Sequence, residues 1–418
     1  MKKKINHILP ALVLTASLGL TTVSCNGFLD EMPDNRTELN TDQKIAKLLV
    51  SAYADVSPNE LFELYSDNSD DSGPTYGYYK LSEQECYHWQ DTKEEYQDTP
   101  NSLWGGYYSA IAAANMALNA IEEKGNPASL DPQRGEALVC RAYCHFMLAN
   151  IFCNAYDTHA SQSLGVPYME EVETTVSPRY ERGTLEEVYR KVERDLLEGI
   201  GLISDDSYSV PKYHFTRKAA YAFAARFYLY YMKPDFSNCD RVIDFATRVL
   251  GTNPADLLRN WEALGNLSVN GNVQADAYIA SSNEANLLIS STISNWGAIG
   301  SDYLIGPRYF HNQTLATSET CLSSGLWGSS DYFYLKPFST NGFVASILRK
   351  SGLYEGTYLY YMPVLFSTDE TLLCRAEAYA LKKMYSQSAA DITSWQRAYT
   401  RNKSVLTPEQ IKIGRASC

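Results

Sequence analysis

The chain has 418 residues, room for two or three domains and a sizeable core. Its hydrophobic fraction of 45% is ordinary for a globular protein, and a net charge of −13 argues against a nucleic-acid partner, which needs clustered Lys and Arg. Tyrosine is heavily used, 32 against 14 Phe and 6 Trp, and its flat apolar face with a hydroxyl suits wet cores and binding surfaces alike.

The first residues read as a leader. Lys2, Lys3 and Lys4 precede an apolar run from Ile8 to Leu20 that is too short to span a bilayer. It ends Leu20-Thr-Thr-Val-Ser-Cys25, a lipobox in all but Val23, which stands where a small residue is usual. Residues 1–24 are therefore expected to be a lipoprotein signal peptide, with Cys25 the lipidated first residue of the mature chain. Several acyl chains on one cysteine anchor firmly where a single chain does not. The other eight cysteines show no paired spacing and no C-x-x-C, so buried free thiols are expected.

After an extended tether, a helix is expected from a cap at Asn40 or Thr41, with Ile45, Leu48, Leu49, Ala52 and Tyr53 on one face. Asp67 to Gly73 reads as a solvated acidic loop. It lacks the Gly and Glu that an EF-hand needs at its sixth and twelfth positions. Tyr76 to Gln97 reads as a tyrosine-rich loop with Trp89 in a polar context. Ser102 to Glu123 is helical, and Gly125-Asn-Pro127 turns the chain into the run Arg134 to Cys153.

That run is the centre of the expected fold. Between Ala137 and Cys153 only Arg141, His145 and Asn150 are strongly polar, and a helix apolar nearly all round must be buried on several sides. Arg141 inside it makes a poor membrane span. The one-turn spacing of Arg141 and His145 reads as a satisfied buried polar pair, not as catalysis.

The pattern then repeats. Thr184-Leu-Glu-Glu187 is a capping box opening a helix through Ile200, Thr216 caps Ala219 to Met232, and Cys239 to Leu250 comes after Pro234. From Gly251 to about Met362 helical periodicity fades into Gly, Ser, Asn and Tyr, with Trp296 and Trp327 in polar surroundings. Loops that long inside a compact protein are usually functional or disordered, and the aromatics point to function. Ser367-Thr-Asp-Glu370 is another capping box before Leu372 to Ala380, and a last helix covers Ala389 to Tyr399. The expected organisation is a helical domain in two parts, 25–250 and 363–418, split by a loop-rich insert at 251–362. The fold class is all-α, built of helical hairpins resembling tetratricopeptide (TPR) pairs.

Several segments carry a more specific resemblance: Cys25-Asn-Gly-Phe-Leu-Asp30 with Pro33, Trp104-x-x-Tyr107-x-x-x-Ile111 with Ala114-Asn115, and Gly135-Glu-Ala to Arg141-Ala-Tyr143. They continue with Gly165-Val-Pro-Tyr168, Arg182-Gly-Thr-Leu-x-x-Val-Tyr189, Thr216-x-Lys218-Ala-Ala220 and Arg375-Ala-Glu-Ala-Tyr379. In this order they resemble the SusD/RagB family of Bacteroidetes outer-membrane lipoproteins. The resemblance implies an α-fold of four TPR-like hairpins with a loop-rich ligand face. It also implies a surface-exposed lipoprotein that captures oligosaccharide and closes over a SusC-like TonB-dependent transporter; Thr41 to Val56 is the segment expected in that contact. Where the family continues past Arg397-Ala398, this chain stops at Ile413-Gly-Arg-Ala-Ser-Cys418, so a short member or a truncated frame is expected.

Sugars stack their C–H faces on aromatic rings, so Trp296 and Trp327 in the insert are the first candidates for glycan contact, and Trp89 follows them. Tyr303, Arg308 and Tyr332 join them by proximity in sequence. Trp104, in helical register with Tyr107 and Tyr108, reads as structural. No catalytic motif, metal-ligand spacing or cofactor loop occurs, so no enzyme activity, metal or cofactor is expected. Two rival readings remain open: an exported glycoside hydrolase on a helical scaffold, whose two carboxylates no sequence pattern would reveal, and a lipid-anchored TPR-like adaptor binding protein alone.

Overall fold

The computed structural model describes residues 39–416 apart from 68, 76–79, 176–177, 269–272 and most of 297–357, of which 308–310, 334, 338–339, 342–343 and 353–355 are described. Cys25 and the leader, Tyr303, Trp327 and Tyr332 lie outside the described residues. Thr41–Cys418 pack as one unit.

Helix α1 (Asp42–Leu48) starts where Thr41 accepts the Lys44 N–H, then tightens into a 3-10 turn at Leu49–Ala52 that buries Leu49 and Ala52. Helix α2 (Pro100–Glu123) has Pro at its first turn, where a missing N–H costs nothing. It ends in a Schellman motif: Gly125 (φ +82°) donates to Glu122 O at 2.8 Å and Asn126 to Ile121 O at 3.1 Å.

Helix α3 (Asp131–Phe152) is the expected central helix. Every residue from Gly135 to Ala149 is buried, because α2 covers one side and α4 (Leu185–Leu202) the other. The closest approach to α4 is made by glycines: a Cβ on Gly135 would stand 2.8 Å from Gly199 O, and one on Gly199 would stand 2.7 Å from Gly135 O. Arg141 crosses the same interface, Nε to Asp195 Oδ2 at 2.6 Å, and its NH1 reaches Asn115 Oδ1 of α2 at 3.0 Å. One buried guanidinium thus ties three helices, as a buried charge must to meet its desolvation cost.

The capping box at Thr184 forms in both directions, with Glu187 N on Thr184 Oγ1 at 3.2 Å and Thr184 N on Glu187 Oε2 at 2.9 Å. Helices α5 (Arg217–Tyr230) and α6 (Cys239–Leu250) make a hairpin, as do α7 (Thr368–Leu381) and α8 (Tyr385–Tyr399), and α6 packs on α7. At Ser367 only half of the expected box forms. Ser367 Oγ accepts from Glu370 N at 3.2 Å, but the Glu370 carboxylate is held by Arg226, Nε–Oε1 2.5 Å and NH2–Oε2 2.6 Å. An ion pair from α5 outcompetes the local contact. The described cysteines are free thiols, all buried but the half-buried Cys153.

Two stretches depart from expectation. Within Tyr76 to Gln97, read as loop, Leu81–Tyr87 is a helix, and within 251–362 lie short helices at Trp261–Gly265 and Val273–Ile279. Residues 286–293 also pair with 358–367 as a ribbon of two short antiparallel sheets. Asn286–Ile289 pairs antiparallel with Val364–Ser367, and Thr292–Ile293 pairs with Tyr358–Tyr361. These pairings join positions about 70 to 80 residues apart, a partnership no local pattern announces.

Candidate functional site

Residues 308–310 of the insert fold back on the segment 65–90. Asp70–Asp71 forms a two-residue antiparallel pair with Tyr309–Phe310, and Ser72 N–H donates to Arg308 O at 2.9 Å. Arg308 then clamps Asp71 with two hydrogen bonds of 2.7 Å, Nε to Oδ1 and NH2 to Oδ2. Those bonds hold the Asp71 carboxyl below the usual range. The acidic loop is therefore a paired edge, not the freely solvated loop that its composition suggested.

Beside this clamp stands the Leu81–Tyr87 helix, ending in the same Schellman motif that ends α2. Trp89 N–H donates to Cys86 O at 2.9 Å and Gln90 N–H to Glu85 O at 2.8 Å. The position that glycine fills at 125 is filled here by Trp89, at φ +56°. A large residue in left-handed backbone costs roughly 1–3 kcal/mol and collects at functional sites. The turn holds the indole out: Trp89 is 70% exposed, the most of any large hydrophobic side chain described.

Around it, Tyr65 meets Trp89 edge-on at 5.4 Å between ring centroids and anchors its own hydroxyl on Gln90 O at 2.9 Å. Tyr87 stacks on Tyr309 at 4.7 Å and 29°, His88 stands edge-on to Tyr309 at 6.1 Å, and the Arg308 guanidinium lies 5.1 Å above the same ring. The result is an exposed indole flanked by Tyr65 and His88, with Tyr309 buried beneath and one bidentate Arg–Asp pair at the edge. Of the residues singled out in the sequence, the fold brings Trp89 and Arg308 to one patch; Asp71, Tyr65, His88 and Tyr309 join them unforeseen.

Trp296 is placed differently. It is half-buried, its N–H donates to Ser294 Oγ at 3.0 Å, and the preceding Asn295 N–H is held by Asp98 Oδ2 at 2.7 Å. No ring contact among the described residues joins it to Trp89. Trp104, read as structural, packs on Tyr108 and Phe152 at 4.9 and 5.0 Å and is 36% exposed.

Under the patch, Glu60, Glu83, Glu85 and Asp98 are buried, with Lys80 Nζ 3.5 Å from Glu60 and 3.9 Å from Glu83. Burial raises the carboxyls of Glu60 and Asp98. The group is internal, and among the described residues no three His, Cys, Asp or Glu side chains are placed to hold a metal ion.

A family model described as SusD-like, starch-binding associating with outer membrane, matches residues 27–229. Over those residues the chain is similar to the SusD-like family. Solved SusD superfamily proteins from Bacteroides fragilis and Bacteroides thetaiotaomicron each align with a TM-score of 0.64 at 16% identity, covering 89% of this chain and 83% and 82% of theirs. A SusD-like carbohydrate binding protein from Bacteroides vulgatus aligns at 0.64 and 14% identity, over 89% of this chain and 79% of its own. At such identities the likeness establishes the fold, which is the all-α, TPR-like architecture expected of the SusD-like family. No curated protein sequence matches. The family's description is one of carbohydrate binding at the outer membrane, and among the described residues no helix is long and apolar enough to cross a membrane.

Proposed function

We propose that this SusD-like chain is a non-catalytic, cell-surface glycan-binding lipoprotein. It captures oligosaccharide at the Trp89 surface and delivers it to a SusC-like TonB-dependent transporter, tethered to the outer membrane through acylated Cys25. The observation that carries the reading is Trp89 itself. An exposed indole, held outward at a backbone angle that favours glycine, is destabilising unless it contacts something else. A sugar ring supplies flat C–H faces for the indole and for Tyr65, while the Arg308–Asp71 pair offers donors and acceptors at the edge for hydroxyls. Trp296, Trp327, Tyr303 and Tyr332 complete the proposed ligand face from the insert.

The test is a glycan array on the mature protein, followed by calorimetry with the best ligand and with malto-oligosaccharides, the probe that the family's description suggests. Trp89→Ala is expected to weaken binding by about 1–3 kcal/mol, the size of a lost stacking contact. Unchanged affinity in Trp89→Ala would move the site elsewhere. Turnover of a labelled glycan by the purified protein would replace capture with hydrolysis. An empty array together with a stable envelope-protein complex would favour an adaptor.

A further inference from the structure

A second feature of the fold lies inside it. A cavity of about 360 Å³ opens where the 52–62 segment, α2, α3 and the ribbon of the insert meet. That volume falls within the roughly 300–1,000 Å³ of small-molecule sites. Its walls mix aliphatic side chains with aromatic rings, among them Tyr107 of α2, Tyr143 of α3, Tyr278, Tyr361 and Phe62. Phe62, 42% exposed, marks where it meets solvent.

The polar groups of the cavity divide into two kinds. Arg226 and Glu370 line it but are bound to each other through two hydrogen bonds, so the wall carries no unpaired charge. By contrast, the hydroxyls of Tyr107, Tyr278 and Ser290 make no hydrogen bond to any described residue. Tyr107 is 2% and Ser290 6% exposed while Tyr278 is half-buried, and hydroxyls that face the cavity in this state pair with a guest or with water. Aromatic faces, three free hydroxyls and a neutral wall define a specific complement: a flat C–H surface, several hydroxyls and no charge.

We propose that this cavity binds one neutral sugar unit of pyranose size, as a second site independent of the Trp89 surface. The ring lies against the tyrosine faces, and its hydroxyls pair with Tyr107, Tyr278 and Ser290. Sugar acids are disfavoured because Arg226 is already committed to Glu370, and wholly apolar guests because they leave the three hydroxyls unmet.

The experiment is calorimetry and saturation-transfer NMR on the whole folded chain with glucose, galactose, mannose and xylose, using glucuronate and benzyl alcohol as comparison probes. At least one neutral monosaccharide is expected to saturate a single site, at least tenfold tighter than either comparison probe. Tyr107→Phe and Ser290→Ala should each weaken it threefold or more, and Trp89→Ala should leave it unchanged. If Tyr107→Phe does not fold, Tyr278→Phe takes its place. No binding by any of the four sugars would mean that the cavity holds only water and would overturn the proposal. So would affinity indifferent to the hydroxyl variants, or tighter binding of glucuronate or benzyl alcohol. Loss of monosaccharide binding in Trp89→Ala alone would assign the sugar to the outer surface and overturn the interior site.

Discussion

Arg308 grips both carboxylate oxygens of Asp71 at 2.7 Å across 237 positions of sequence, and this pair closes the insert onto the segment that carries Trp89. Asp71→Asn keeps the size but removes the charge-assisted fork. It is expected to weaken glycan binding about tenfold while leaving the helical body folded, read by calorimetry and circular dichroism. Full affinity in Asp71→Asn would make the clamp irrelevant to the ligand face.

The same pair sets a pH range. Arg308 lowers the folded pKa of Asp71, so the clamp is fully present above the ordinary carboxylate value of about 3.9 and is lost only as pH falls through the lower folded value. Glycan affinity should therefore be flat from pH 7 to 5 as far as this pair is concerned. A decline in wild type between pH 6 and 5 that vanishes in Asp71→Asn would contradict the assignment.

Trp89 and Gly125 occupy the same position in two Schellman turns, at φ +56° and +82°. Trp89→Gly relieves the strain but adds freedom to the unfolded chain, so stability should stay within about 0.5 kcal/mol of the parent. Trp89→Val, β-branched at positive φ, should cost about 1–2 kcal/mol. Both should lose glycan binding alike. Urea titration and calorimetry on the two variants separate the role of the ring from that of the turn. A Trp89→Gly chain that unfolds readily would show that the indole is chiefly structural.

Gly135 and Gly199 let α3 and α4 touch backbone to backbone, since a Cβ on either falls within 2.8 Å of the other's carbonyl oxygen. Gly199→Ala should destabilise by about 1–3 kcal/mol despite its better helix propensity, because packed backbones cannot yield as a side-chain tip can. Thermal melts of Gly199→Ala against Gly201→Ala, where nothing stands within 4 Å, isolate the packing effect. Equal melts would show that the helices separate at little cost.

His145 is buried and neutral: its Nδ1 lies 2.9 Å from Arg141 O, and its Nε2 accepts the Met169 N–H at 3.0 Å. Burial lowers its pKa from 6.5 to about 3. The unfolded ring thus binds a proton that the folded ring refuses, and stability contributed here is lost as pH falls from 6.5 towards 3. The parent should lose up to about 1.4 kcal/mol per pH unit more than His145→Gln across that window. Parallel pH–stability curves from urea titrations would show that the ring is protonated in place.

The helices were legible because their signals are local. The apolar run around α3, the box at Thr184, the cap at Thr216 and the bounds of Cys239–Leu250 each depend on residues within a turn or two. The likeness to the SusD-like family was legible for the same reason, as short motifs in a fixed order. The Leu81–Tyr87 helix was hidden because it spans only two turns, and its exit carries Trp89 where glycine usually signals an end.

Periodicity and capping are short-range physics, and they were enough to specify a stack of buried helices interrupted by an aromatic-rich insert. Which aromatics come together depends on the packed fold. Asp71 meeting Arg308, Tyr87 meeting Tyr309 and Glu370 turning from Ser367 to Arg226 are pairings across more than a hundred residues. Such pairings arise from the order in which packed helices bring distant chain segments together, and no local pattern of residues encodes that order.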